Sequence, residues 1–218
     1  MRTYFIAIRK DFILQKKIIF LLIPILSAAS IFINYKLEGV VGQLMSFFLV
    51  ELFGLHILFN SLSQLEDNEF GRNALVASPY CRKLFVLGRY MFLAFVFISI
   101  YILHNLVSFL TNLVGSCRFD HATIFIVGIT LLFVSIWDGL NLTLYYKFGY
   151  SKMKIIGNLF IFSMPFILPQ ITKFLEKNIG LAFASDTNII ALIMIVLGII
   201  VYFISYNLSV KLFSKRDL

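Results

Sequence analysis

Long apolar runs separated by short polar connections dominate this chain. Six runs, at roughly 18–35, 40–65, 84–114, 122–146, 155–170 and 189–210, predict six transmembrane helices, because a bilayer core takes about 20 apolar residues per crossing. The basic residues between the runs orient them. Arg2, Arg9, Lys10, Lys16 and Lys17 precede the first run. Arg72, Arg82, Lys83 and Arg89 belong to the second connection, Lys147, Lys152 and Lys154 to the fourth, and Lys211, Lys215 and Arg216 follow the last run. The alternate connections hold only Lys36, Arg118, Lys173 and Lys177. Basic flanks stay on the cytoplasmic side during insertion, which predicts cytoplasmic N- and C-termini. The expected fold is therefore all-α and integral to the membrane, one transmembrane domain over 1–218.

Three stretches depart from this simple alternation. In 3–17, Phe5, Ile8, Phe12 and Ile13 recur at helical spacing, while Arg9, Lys10, Gln15, Lys16 and Lys17 fill the other positions. That pattern predicts an amphipathic helix lying in the inner interface. An ordinary basic flank would explain the charges but not the spaced aromatics. The longest polar interruption, 66–83, begins with Glu66, Asp67 and Glu69, passes Gly71 and Arg72, and ends with Ser78, Pro79, Arg82 and Lys83. Ser78-Pro79 suits the start of a short helix, since a proline there costs no hydrogen bond. This is the one sizeable soluble feature, and so the expected docking surface for a cytoplasmic partner. In the fifth run, Pro165 and Pro169 predict a broken helix followed by a re-entrant or interfacial segment, or a helix that simply ends at Pro169.

Composition supports the membrane reading. Sixty percent of residues are apolar and 14% charged, outside the range of soluble domains. The formal net charge of +8 is explained by cytoplasmic flanks facing anionic lipid rather than by nucleic acid, for which no basic module stands apart. Cys81 and Cys117 fall in connections on opposite sides, so no disulfide framework is expected. Lys16, Lys17 and the run from Ile18 resemble a signal peptide, but the apolar character continues through Ile33, which favours an uncleaved first helix.

Polar residues inside the spans are the candidate chemistry. Glu51 lies near the middle of the second span and Asp138 in the inner half of the fourth. Each would cost about 2.5–3.5 kcal/mol facing lipid at the bilayer centre, so both are expected to face the interior or a water-filled cavity. Glu51 and His56 do not share a helix face. His56, Asn60 and Ser63 do, as do His104, Ser108 and Thr111 with Asn105 and Asn112 alongside, and Asp138, Asn141 and Tyr145. These faces either line a path across the membrane or serve as hydrogen bonds between helices. No P-loop, HExxH or GxSxG stretch is present. His56, His104 and His121 make no plausible zinc set. His56 and Asn60 echo an HxxxN element of CAAX-type intramembrane proteases, but Glu66-Asp67 lacks the arginine those enzymes place three residues beyond a Glu pair.

Two motifs carry a family resemblance. Lys10-Asp11-Phe12-Ile13-Leu14-Gln15-Lys16-Lys17 resembles the "KDxxLQKK" opening of small ABC-2 type transporter permeases, the membrane subunits of bacterial ABC exporters. Glu66-Asp67-Asn68-Glu69, then Leu75 to Lys83, Val86 and Arg89-Tyr90, is similar to their cytoplasmic signature, with Ser78 in place of leucine before the proline, Tyr80-Cys81 in place of valine-serine and Arg89 in place of lysine. The resemblance implies a permease dimer, of identical or sister chains, in the bacterial cell membrane. It implies a separate ATPase that binds ATP and Mg and grips a coupling helix between the second and third spans. Glu66, Asp67, Glu69, Arg72, Pro79, Arg82 and Lys83 map onto that coupling element. It also implies an interfacial elbow helix at the start and a broken fifth span. This chain itself would hold no cofactor, metal or catalytic residue. Relatives of this size serve export of, or immunity to, amphipathic peptides. Two other readings stay open: a proton-coupled carrier using Glu51 or Asp138, and a non-transporting membrane scaffold or sensor.

Overall fold

The structure, a computed structural model, describes residues 2–36, 39–68, 82–114, 122–159, 163, 170 and 187–215, without the side chains of 2–9, 39–41 and 187. Its elements are α1 (Arg2–Lys36), α2 (Gly39–Asp67), α3 (Arg82–Val114), α4 (Ile124–Phe148), a shorter helix α5 described over 150–159, and α6 (Thr187–Ser214). No strand occurs among the described residues. All but α5 are long and apolar enough to cross a membrane.

Residues 3–17 are helical as expected, but they do not form a separate elbow. α1 runs unbroken through 35 residues. At about 1.5 Å per residue it is roughly 52 Å long, well beyond a bilayer core of about 30 Å. Nothing between Lys10 and Phe20 interrupts the helix, and part of this inner stretch is covered by protein. Phe12 packs edge-on against Phe92 and Phe95 of α3, with ring centroids 5.1 and 4.9 Å apart. Ile13 points outward.

α2 is the axis of the bundle. Phe47, Leu52, Leu55, Leu58, Phe59 and Leu62 are all buried, with α1, α3 and α4 packed around them. The outer faces of α1, α3 and α6 instead present Phe20, Phe32, Phe95, Leu113, Leu192 and Phe203, as suits surfaces that meet lipid tails.

The most extensive contact joins α4 and α6. Small residues bring the two backbones together. A Cβ on Gly128 would stand 2.9 Å from the Ala191 carbonyl oxygen, one on Gly139 2.9 Å from Ser205 Oγ, and one on Gly198 inside Leu131. Residue numbers rise together along this seam, so α4 and α6 run parallel. Arg82 at the start of α3 also reaches the end of α6, which places the C-terminal ends of α2, α4 and α6 together with the start of α3. Phe148 and Thr187 therefore lie at opposite ends of the bundle. The proposed break at Pro165 and Pro169 lies outside the described residues. Gly149, at φ 84°, ends α4: its N–H bonds the Tyr145 carbonyl at 2.9 Å, and the positive φ lets the chain turn directly into α5.

Candidate functional site

At the end of the bundle that the basic flanks assign to the cytoplasm, four helices meet around buried charge. Arg89, seven residues into α3, is 2% exposed. Its Nη2 lies 2.5 Å from Glu66 Oε2, and its Nε lies 3.6 Å from Asp11 Oδ2. Lys10 Nζ bonds Glu66 Oε1 at 2.8 Å and stands 3.6 Å from Asp11 Oδ1. Tyr145 of α4 donates to Glu66 Oε2 at 3.3 Å. One helical turn further in, Gln15 donates to Ser61 Oγ at 3.1 Å.

Two cations and two carboxylates balance formally, yet the hydrogen bonding is incomplete. Arg89 Nη1 and Asp11 Oδ1 find no hydrogen-bond partner among the described residues. A buried ion group gains only as much as its geometry recovers from desolvation, so removing one member of this joint strands a buried charge and is costly. Glu66 and Arg89 bracket the connection between α2 and α3. At its far end, Arg82 Nη1 donates to the carbonyls of Phe213 and Ser214 at 3.1 and 3.3 Å, capping the C-terminus of α6, and stacks on Phe213. Both roots of the connection are thus tied by charge into the bundle.

Of the residues assigned to ATPase coupling, Glu69, Arg72 and Pro79 lie outside the described residues. Glu66 is turned inward and ion-paired, so its carboxylate is occupied within the bundle rather than offered to a partner. Asp67 is half-buried, while Lys83 is exposed. Arg89, read in the sequence as one more flanking charge, is the cluster's centre. Its position one turn inside the third apolar run was the available signal, since an arginine at that depth requires partners.

The polar residues of the spans separate into distinct contacts. His104 Nδ1 meets Ser30 Oγ at 3.1 Å, and Phe47 stands edge-on to the imidazole, joining α3 to α1 and α2. Ser108 is buried, and Asn105 donates back to the Tyr101 carbonyl of its own helix. His56 Nε2 pairs with Asn60 at 2.6 Å, the i, i+4 partner its spacing indicated. A Cβ on Gly157 of α5 would stand 3.2 Å from His56 and 3.3 Å from Asn141 Oδ1, so these side chains fill the contact of α2, α4 and α5. A third set was not read from the sequence. Tyr90 OH meets Ser205 Oγ at 2.7 Å and Ser209 Oγ at 2.9 Å, and Thr143 lies 3.3 Å from both hydroxyls. Glu51 and Asp138 are both buried, as their cost in lipid requires. Both Glu51 oxygens lack a hydrogen-bond partner among the described residues. No group of three metal-ligating side chains occurs among the described residues.

This is the anatomy of a multi-pass membrane protein whose polar groups tie its helices together and whose longest polar connection is anchored at both ends. No significant match was found among curated proteins or among solved structures. The family model described as "ABC-2 family transporter protein" matches residues 8–214, nearly the full length, and the chain belongs to that family of transporter membrane proteins.

Proposed function

We propose that this chain is the permease subunit of an ABC exporter in the bacterial cell membrane, working as a dimer with a separate ATPase that docks on 66–83. Transport through ABC-2 membrane proteins generally involves an ABC ATPase partner. The observation that carries the assignment of 66–83 is the double anchorage of that segment. Glu66 ties one root to Lys10 of α1 and Arg89 of α3, and Arg82 ties the other to the end of α6. A push on the segment would reach three helices directly, which is what a coupling element needs. ATP and Mg are bound by the partner, whose ATP-dependent dimerisation favours one permease conformation over another. The substrate class that fits a family member of this size is an amphipathic peptide.

Purification of the tagged protein from its native membrane in mild detergent tests this reading. The expected co-purifying protein is a P-loop ATPase in stoichiometric amount. Arg72→Ala with Lys83→Ala, which alter the coupling segment while sparing the buried cluster, should release it. Retention of the ATPase by that double variant would place the docking site elsewhere.

A second reading, a proton-coupled carrier, has one specific observation in its favour, the buried Glu51, whose carboxylate finds no hydrogen-bond partner among the described residues. It expects transport without an ATPase, driven by a proton gradient and abolished by Glu51→Gln.

A further inference from the structure

The polar ties of α1 to its neighbours fall into two groups. The inner group comprises Lys10 to Glu66, Asp11 to Arg89, and Gln15 to Ser61. The outer group comprises Ser30 to His104 at 3.1 Å and Asn34 to Ser46 Oγ at 2.8 Å. Among the described residues, no side chain from 16 to 29 makes a polar tie to another helix. Ser27 only donates back to the Ile23 carbonyl at 2.8 Å.

Pro24 sits inside this untied stretch. A proline in mid-helix has no N–H for the carbonyl four residues earlier, here Phe20, and its ring crowds that carbonyl. The surroundings do not brace the defect from outside: Phe20, Leu21, Ile23 and Ile25 all face outward. Inside, Leu22 and Leu26 are the buried contacts. Leu26 rests where α2 has no side chain, its Cδ1 3.1 Å from the place a Cβ on Gly54 would occupy, and Ile100 of α3 lies 2.8 Å from the same point. A weakened backbone thus lies over a glycine surface, with a polar anchorage on either side.

We propose that α1 is a two-part lever hinged at Pro24. The inner arm, bound to Glu66 at one root of the α2–α3 connection and to Arg89 seven residues beyond Arg82 at the other, moves with that connection. The outer arm stays pinned to α2 and α3 by Asn34 and Ser30, and Leu26 turns on Gly54. This rests on the coupling reading above and adds the place where the motion stops. It also gives the unbroken α1 a means of passing on only part of a displacement.

The test uses the full chain with its co-purified ATPase in nanodiscs, with Cys81 and Cys117 replaced by serine. Spin labels go at Leu14 on the inner arm, Tyr35 on the outer arm or Lys83 on the connection, each paired with one at Leu140 on α4. All these positions are exposed. Distances are compared before and after ATP is trapped without turnover. The lever requires the 14–140 and 83–140 distances to shift by about 2–5 Å while 35–140 stays fixed. It also requires Pro24→Ala, which favours a continuous helix and so should fold, to make the two arms shift alike. Equal shifts of both arms in the parent, or an unchanged difference between arms in Pro24→Ala, would overturn the hinge. If the Lys83 label moves and Leu14 does not, the lever is wrong and the coupling reading stands. If no label responds to ATP, the coupling reading falls and the lever with it.

Discussion

Arg89 and Tyr90 are neighbours on α3, yet they serve two joints of opposite character. Arg89 turns towards α1 and α2 into a group of charges that balance but are incompletely hydrogen-bonded. Tyr90 turns towards α6, where hydroxyls of Ser205, Ser209 and Thr143 make a neutral network over glycines that let α4 and α6 touch backbone to backbone. The neutral seam has few alternative arrangements, because close packing of small residues leaves no room to slide without voids. The charged joint is held by a few contacts between long side chains, most of them buried. One helix therefore carries a close-packed neutral joint on one face and a buried charged joint on the other, and the charged one adjoins the connection between α2 and α3.

The largest expected effect comes from Arg89→Gln. It leaves Asp11 and Glu66 buried without their principal cation, a defect that costs about 3–5 kcal/mol. The expected outcome is loss of most monodisperse protein on size-exclusion after mild heating. Adding Glu66→Gln should recover part of that loss by removing one of the stranded charges. If the double variant were worse than the single by the full effect of Glu66→Gln alone, the two residues would not be coupled.

Gly128→Ala probes the other joint. Its new Cβ would stand 2.9 Å from the Ala191 carbonyl oxygen, with backbone on both sides and no flexible side chain to yield. Overpacking of this kind costs about 1–3 kcal/mol, less than the arginine loss. The signature that separates the two joints is functional. Arg89 variants that still fold should lose coupling between ATP hydrolysis and transport, whereas Gly128→Ala should lower thermal stability and leave that ratio unchanged. A changed ratio in Gly128→Ala would mean that the α4–α6 seam also moves.

Tyr90→Phe is milder. It removes one hydroxyl from a network in which Ser205 keeps the Gly139 carbonyl at 2.9 Å and Thr143 stays within reach. Hydrogen bonds between membrane helices average about 0.6 kcal/mol and reach about 1.7, so a small downward shift in melting temperature is expected. A loss matching that of Arg89→Gln would show that the seam depends on its hydroxyls rather than on its glycines.

The sequence revealed these regions unevenly, for physical reasons. Apolar runs of bilayer length fix where helices lie, so α2, α3, α4 and α6 match the expected spans to within a few residues. Periodicity fixes which residues share a face, which is why the pairing of His56 with Asn60 was readable. It does not say what covers a face. Of the spaced apolar residues of 3–17 whose side chains are described, Phe12 meets α3 while Ile13 points outward. Glu66 reads as an exposed docking charge and Arg89 as a flanking one, because their union depends on how α2 and α3 return beside each other. The Tyr90 network escaped notice because single hydroxyls on separate helices leave no periodic mark. Pro24 was hidden in the middle of an apolar run, where only the ties on either side of it give it meaning.

The smallest effect, and the sharpest test of how the charged joint is held, is Lys10→Ala. Lys10 contacts the same Glu66 as Arg89 does, but its side chain is 37% exposed. A pair so open to solvent contributes only about 0–1 kcal/mol, and salt screens it, with a Debye length falling from about 10 Å at 0.1 M to about 3 Å at 1 M. Lys10→Ala should therefore lower the melting temperature slightly at low salt and not at all at 1 M, while the deficit of Arg89→Gln persists at both. That difference would identify Arg89 as the buried pivot of the cluster and Lys10 as the outer member that water can release first. If Lys10→Ala were as damaging as Arg89→Gln, and equally so in high salt, the cluster would be a single locked unit, and the contrast with the α4–α6 seam would have to rest on something other than how tightly each joint is held.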